Sequence, residues 1–260
     1  MSTRSEGLKM TIHSGVGSKP HFPTNTVHTI RLCLFQSTRR PEILERIIET
    51  TFGKVRVKGR LGQAHLDVFE SICYSRIKKR DSDGRIHLLV DPWEVKKKSE
   101  QKSGTTLTKI KDDLLGVIIE IIEPKRLACS GHLIDHIEPA IGEDDLPLTV
   151  PSQFGKRGLW TVKLGEAFCK LVLQDIWIGY DPAKIARLEH GISQAVTRHV
   201  LSHKNQPTGG WKIDTLIKSV STGTEVSQEA FWKYRERIKG EAEKMAQIGV
   251  FVEGDRVRIS

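Results

Sequence analysis

The sequence has no apolar run near the roughly 18–20 residues that a membrane-spanning helix needs. The longest, Leu114 to Ile122, is short and has Asp112, Asp113 and Glu120 within or beside it. The first thirty residues lack the apolar stretch of a secretory leader. Four cysteines (Cys33, Cys73, Cys129, Cys169) stand far apart with no CxxC pair. That spacing argues against a disulfide framework or a zinc ribbon and fits a reducing cytoplasm. No fixed-period repeat is present, so a solenoid is not expected.

The signatures of common chemistries are also missing. Gly15-Val-Gly-Ser-Lys19 lacks the GxxxxGK[ST] spacing of a phosphate loop and has no strand before it. Cys129, His132 and His136 are potential zinc ligands without a fourth nearby, and a buried thiol with surface histidines explains them. His199 and His203 are four apart on one helix, and their neighbours indicate a solvent face. Asp81-Ser-Asp-Gly84 is too short for an EF-hand and reads as a turn. Tyr74, Tyr180 and Tyr234 have neither the clustered histidines of a relaxase nor the Arg/His set of a tyrosine recombinase around them. The expectation is a protein without catalytic residues, metal or cofactor.

What is present is charge and enough apolar material for a core. The 260 residues carry a net charge of +9, with 38% hydrophobic and 28% charged residues. A disordered chain is therefore not expected, and the length allows one large domain or two small ones. The charge is unevenly placed. Arg31 to Arg85 holds 13 Lys/Arg against 7 Asp/Glu, and Lys170 to Ser260 holds 14 against 11. Between them, Gly131 to Cys169 holds 3 against 6. Two basic lobes flank an acidic middle, a pattern of two binding modules or of one module and a tail.

Met1 to about Asn25 reads as a flexible basic tail. Pro41 to Thr51 has Ile43, Leu44, Ile47 and Ile48 at helical spacing. Lys54 to Lys58 alternates as a strand with both valines on one face. Helices are expected over Gly62–Lys79 and Thr106–Ile122, the second capped by Thr106 or Thr108, with a turn at Asp81–Gly84, a strand over Arg85–Val90 and a Lys-rich link, Lys96 to Lys102, between. Strands near Leu127–Glu138 and Leu159–Leu164, joined by the acidic loop Glu143-Asp144-Asp145, precede a short helix over Gly165–Leu173.

The last third has the clearest rhythm. Helices are expected over Pro182–His203, Ile213–Val220 and, capped by Ser227, up to Ile248. A hairpin, Val250–Val252 and Arg256–Ile259, ends the chain. Three helices and a hairpin follow the order of a winged helix. On the long helix, Phe231, Tyr234, Ile238, Ala242 and Met245 form the packing face. Lys233, Arg237, Gly240 and Lys244 form the opposite stripe, flanked by Arg235 and Lys239. A basic face on the third helix is what major-groove entry needs, and Arg256 and Arg258, on one side of the hairpin, could touch phosphate. The same residues also fit an ordinary solvated face laced by Glu236, Glu241 and Glu243.

Three stretches carry a family resemblance: Trp211-Lys-Ile-Asp-Thr-Leu-Ile-Lys-Ser-Val220, Phe231-Trp-Lys-Tyr-Arg-Glu-Arg-Ile238 and Ala246-Gln-Ile-Gly249. They resemble the C-terminal winged helix of broad-host-range plasmid replication initiators of the RepC/TrfA type. Gly53 to Phe69 and Leu107-Thr-Lys-Ile-Lys111 resemble parts of that family's N-terminal winged helix. The resemblance runs from about Lys54 to Ser260, in pattern and element order more than in long identical runs. It implies an α+β chain with two tandem winged-helix domains, helix-turn-helix units with β-hairpin wings. The expected division is a tail and lead-in helix (1–52), an N-terminal winged helix (53–164) and a C-terminal winged helix (165–260).

The resemblance implies a bacterial cytoplasmic protein that binds repeated origin sequences (iterons) in double-stranded DNA. It would help to open the origin and recruit helicase and initiation proteins of the host or plasmid, switching between monomer and homodimer. Lys233, Arg235 and Arg237 match the family's basic recognition-helix positions. Lys239, Lys244, Arg256 and Arg258 extend that surface, and Thr108, Lys109 and Lys111 are the corresponding N-terminal set. Trp232 and Tyr234 stand where that helix can carry more basic residues. Two other uses of the same parts are a transcriptional repressor or plasmid-maintenance regulator, and a protein–protein adaptor.

Overall fold

The computed structural model describes residues 12–14, 23–50, 53–75, 77–123, 126–172, 176–221 and 226–260. Most of the expected tail, with Gly15 to Lys19, lies outside them. The chain begins with strands β1 (Ile12–Ser14) and β2 (Pro23–Thr26) and a short helix α1 (Val27–Arg31). The tail reading fails at β2, where Thr24, Asn25 and Thr26 are buried.

The segment Pro41–Thr51, expected as a helix, is strand β3 (Ile43–Thr50), paired antiparallel with β4 (Gly53–Arg60) along its whole length. A helix would have set Glu45 and Glu49 beside each other on one face. In the strand they meet basic residues of β4, with Lys54 Nζ 2.7 Å from Glu49 and Arg56 Nε 3.5 Å from Glu45. Val55 and Val57 are buried together, as the alternation predicts.

Helix α2 (Gln63–Cys73) is shorter than expected, because Ile77 to Arg80 form strand β5, paired with β6 (Ile86–Val90). The first part of the Lys-rich link, Lys96 to Lys98, belongs to helix α3 (Pro92–Lys98), capped by Asp91, where Lys97 lies over the Trp93 ring and Lys98 over Tyr74. Helix α4 (Gly104–Leu115) is capped by Ser103 rather than by a threonine, and it stops before Gly116. The β-branched run after it is strand β7 (Ile118–Glu123).

Strands β8 (Arg126–His132) and β9 (Ile134–Pro139) divide between two sheets, ordered β3-β4-β7-β8 and β5-β6-β12-β9 once β12 (Trp160–Leu164) is added. A separate hairpin, β10 (Thr149–Ser152) and β11 (Gly155–Gly158), was not expected; its tip residue Phe154 is 93% exposed. Helix α5 (Glu166–Leu171) and strand β13 (Trp177–Gly179) follow, and β13 joins β1 and β2 in a three-stranded sheet.

The expected helix Pro182–His203 is two helices, α6 (Pro182–Ala186) and α7 (Gly191–Leu201), with a turn at Arg187–His190. After them come β14 (Trp211–Lys212), α8 (Ile213–Val220) and α9 (Gln228–Gly240), whose cap is Ser227 as expected. Glu241 interrupts the long helix, and α10 (Ala242–Ala246) is a separate turn. Strands β15 (Val250–Glu253) and β16 (Arg256–Ile259) form the expected hairpin, and β14 adds to it as a third strand.

The chain is thus mixed α+β, with ten helices and several small sheets among the described residues. It has two apolar cores. One gathers α2, α4, α5 and the two four-stranded sheets around Phe69, Leu114 and Phe168. The other gathers α6 to α10 and the C-terminal sheet around Ile192, Ile217, Ile238 and Met245, and takes in Ile30 of α1 and Ile178 of β13. No disulfide links the four cysteines, and no helix among the described residues is long and apolar enough to cross a membrane.

Candidate nucleic-acid interface

Helix α9 presents the face the sequence indicates. Ile238 is buried and Phe231 and Tyr234 pack partly against the second core, so the helix can only turn its other side outward. Lys233, Arg237, Lys239 and Lys244 are all exposed. Their charges are not equally available. Lys233 pairs with Glu229 one turn earlier, and Lys244 pairs with Glu189 on the α6–α7 turn. Arg235 forms a two-pronged pair with Asp214 of α8 and lies over the Phe231 ring, so it ties two helices together. Its hydrogen bonds hold the Asp214 carboxyl below the usual carboxylate range. Arg237 and Lys239 have no acidic partner among the described residues.

The two hairpin arginines share one side, as the alternation predicts, but both turn back on the protein. Arg256 donates to the carbonyls of Gly209 and Gly210 at 3.3 and 3.2 Å, and Arg258 pairs with Glu253 at 3.1 Å. They brace the loop before β14. Thr108 and Lys109 are exposed on α4, while Lys111 is half-buried beside Asp112 at 3.5 Å. Helix α4 packs on α2, β4 and β9, whereas α9 packs on α7 and α8. The two sets of site residues therefore stand on different supports.

The histidine pair is not on a solvent face. His199 and His203 Nε2 atoms are 3.3 Å apart, and His203 packs on Trp211. Burial, then His203 and Arg31, push the His199 pKa down to about 4. Among the described residues no group of three or more His, Cys, Asp or Glu is placed to hold a metal, the Cys129–His136 stretch included.

The sequence reading missed a buried charge cluster between α2 and α7. Arg198 of α7 is 1% exposed and meets Asp67 and Glu70 of α2, both 0% exposed. Its Nε donates to both Glu70 oxygens at 3.0 Å, one terminal nitrogen to Asp67 at 2.7 Å, and the other to the Gln63 side chain at 2.8 Å. Asn25 and the Tyr180 hydroxyl also donate to Glu70. Gln194 and Arg39 donate to Asp67 at 3.2 and 3.1 Å. Burial opposes the charge on Arg198, but Glu70 and Asp67 raise its pKa above the ordinary arginine value. Two cations thus answer two buried carboxylates at the junction of the two cores. The signal available was spacing: Gln63, Asp67 and Glu70 fall on one side of α2, a polar stripe on a helix that is buried all round.

No protein-family model matches the sequence, and no curated protein matches it. A crystal structure of domain 2 and domain 3 of RctB is similar to the chain with a TM-score of 0.52 and 11% identity, over 89% of each chain. A second crystal structure of RctB domains 2-3 aligns with a TM-score of 0.47 and 11% identity, over 87% of this chain and 84% of that one. The chain shares the fold of those two RctB domains.

Proposed function

We propose that the chain is a non-enzymatic, sequence-specific double-stranded DNA-binding protein that initiates replication at a plasmid-type origin. RctB is a replication initiator of a bacterial chromosome origin, and a shared arrangement over 89% of both chains is the observation that carries this reading. In it, residues 53–164 and 165–260 act as two tandem winged helices, and α9 is the recognition helix of the second. Arg237 and Lys239 supply the free charge for the groove, and Lys233, Arg235 and Lys244 exchange their intramolecular partners for phosphate. The bound sites are direct repeats at the origin. Binding assists opening of the duplex and recruits helicase, and monomer and homodimer forms divide the work in the bacterial cytoplasm.

The test is selection of duplexes from a random pool by the full chain, followed by replication of a minimal-origin plasmid with the chain supplied in trans. A short repeated motif and a replicating plasmid are expected. A motif without replication makes the protein a repressor. No enrichment leaves an adaptor, and then charge reversal at Lys233 and Arg237 changes no DNA affinity.

A further inference from the structure

A cleft of about 390 Å³ opens beside the reading helix, where the two halves of the chain meet. Its walls are the segment Ser37–Arg40, Glu189 and His190 of the α6–α7 turn, Gly191 and Ile192 at the start of α7, and Tyr234 and Arg237 of α9. Among the residues that line it are Arg39, Arg40, Arg237 and His190. The one carboxylate on the wall, Glu189, is paired with Lys244. Glu241 reaches the same turn, but its carboxylate accepts from the backbone N–H groups of Glu189 and His190. Arg39 is held by Asp67 and the Leu188 carbonyl. Arg40 and Arg237 have no acidic partner among the described residues, so two arginines that line one cavity carry charge no carboxylate answers.

The wall that carries Arg40 is rigidly placed. A Cβ on Gly191 would lie 2.7 Å from Thr38 Cα, and one on Gly62 would lie 2.5 Å from the Thr38 carbonyl oxygen. Thr38 is therefore clamped between the first residues of α7 and the cap of α2. Gln63 N–H donates to the Thr38 carbonyl at 2.8 Å, and the Arg40 N–H to the Thr38 hydroxyl at 3.2 Å. The position of Arg40 is set by both halves of the chain at once.

We infer that this cleft seats one backbone phosphate of the duplex that α9 reads, held by the guanidinium groups of Arg40 and Arg237. The inference rests on the DNA-binding reading above and extends it to a residue outside the helix and hairpin. Guanidinium forks match phosphate oxygens in pairs, and such contacts fix register without reading sequence. Arg237 sits on the stripe that would face the groove, so a phosphate flanking that groove comes to its end of the cleft. Because Arg39, next in the chain, holds Asp67, the seat adjoins the buried charge cluster that joins the halves.

The experiment uses the full chain and the selected duplex, with single methylphosphonate linkages placed one at a time along both strands. Wild-type protein is expected to lose affinity on the order of 3- to 10-fold when one particular linkage loses its charge. Arg40→Ala is expected to lose a similar factor on unmodified duplex, to lower the salt slope by about 1, and to show a smaller penalty at that linkage, because only Arg237 is left to hold the phosphate. Arg40 is exposed, so the variant keeps its core. Unchanged affinity in Arg40→Ala, or a linkage penalty in it as large as in the wild type, overturns the seat and leaves the DNA-binding reading standing. A wild-type chain that binds no duplex overturns both.

Discussion

The junction between α2 and α7 and the outer face of α9 both concentrate charge, in opposite ways. At the junction Arg198, Asp67 and Glu70 are sealed from water, and every charge has an opposite charge in contact. On α9 the charges stand in solvent, and their pairs are ones that a ligand can displace. A buried pair is costly to break because the remaining charge has no water to turn to. An exposed pair contributes little to stability, since solvent already screens it. The first arrangement fixes how the two halves sit, and the second leaves cations available to a polyanion.

This contrast is tested most severely at Arg198. Arg198→Ala leaves the buried Glu70 without a cation and Asp67 with Arg39 alone, and is expected to cost about 3–5 kcal/mol in chemical denaturation; a loss under 1 kcal/mol would mean the junction is wet. Next in size is Gly191→Ala, where the added methyl meets the Thr38 backbone at 2.7 Å. Overpacking of this kind costs about 1–3 kcal/mol, and it acts on the junction without touching a charge.

His199 supplies a pH readout. Its folded pKa of about 4 lies below the ordinary value of 6.5, so the unfolded chain binds the proton more readily. Stability from this group is present above pH 6.5 and is lost as the pH falls toward 4, by about 1–3 kcal/mol. His199→Phe is expected to flatten that slope in denaturant titrations at pH 7 and pH 4.5.

On the exposed face the effects move from stability to binding. Arg237→Ala is expected to weaken duplex binding about tenfold with an unchanged melting temperature. Arg235→Ala, whose charge Asp214 already occupies, is expected to change affinity less than Arg237→Ala and to loosen α9 from α8. Equal losses in the two variants, measured by titration at one salt concentration, would erase the distinction between engaged and free cations.

The C-terminal elements were legible because a single helix or hairpin carries its own signals. Ser227, the Ile238 and Met245 stripe and the hairpin strands at Val250 and Arg256 are local, and they appear where expected. The misread segments are those whose periodicity suits both helix and strand. Ile47 and Ile48 adjoin each other in either reading, and only pairing with β4 makes Ile43–Thr50 extended. Val117 to Ile122 continues the apolar stripe of α4, yet Gly116 ends the helix and β4 takes the run as a partner strand. Glu241 looked like an ordinary helix residue. It is buried, accepts two N–H groups from the α6–α7 turn, and breaks the long helix there.

The amino-acid order alone determined the absence of long apolar spans and paired cysteines, the two basic lobes, the amphipathic character of α9 and the final hairpin. These depend on composition and on periodicities of a few residues. The tertiary structure decided which cations are free. Asp214 lies 21 residues before Arg235, Glu189 lies 55 before Lys244, and Glu70 lies 128 before Arg198. Charge pairing acts through space over a few ångströms, and chain folding, not sequence spacing, sets which groups come that close.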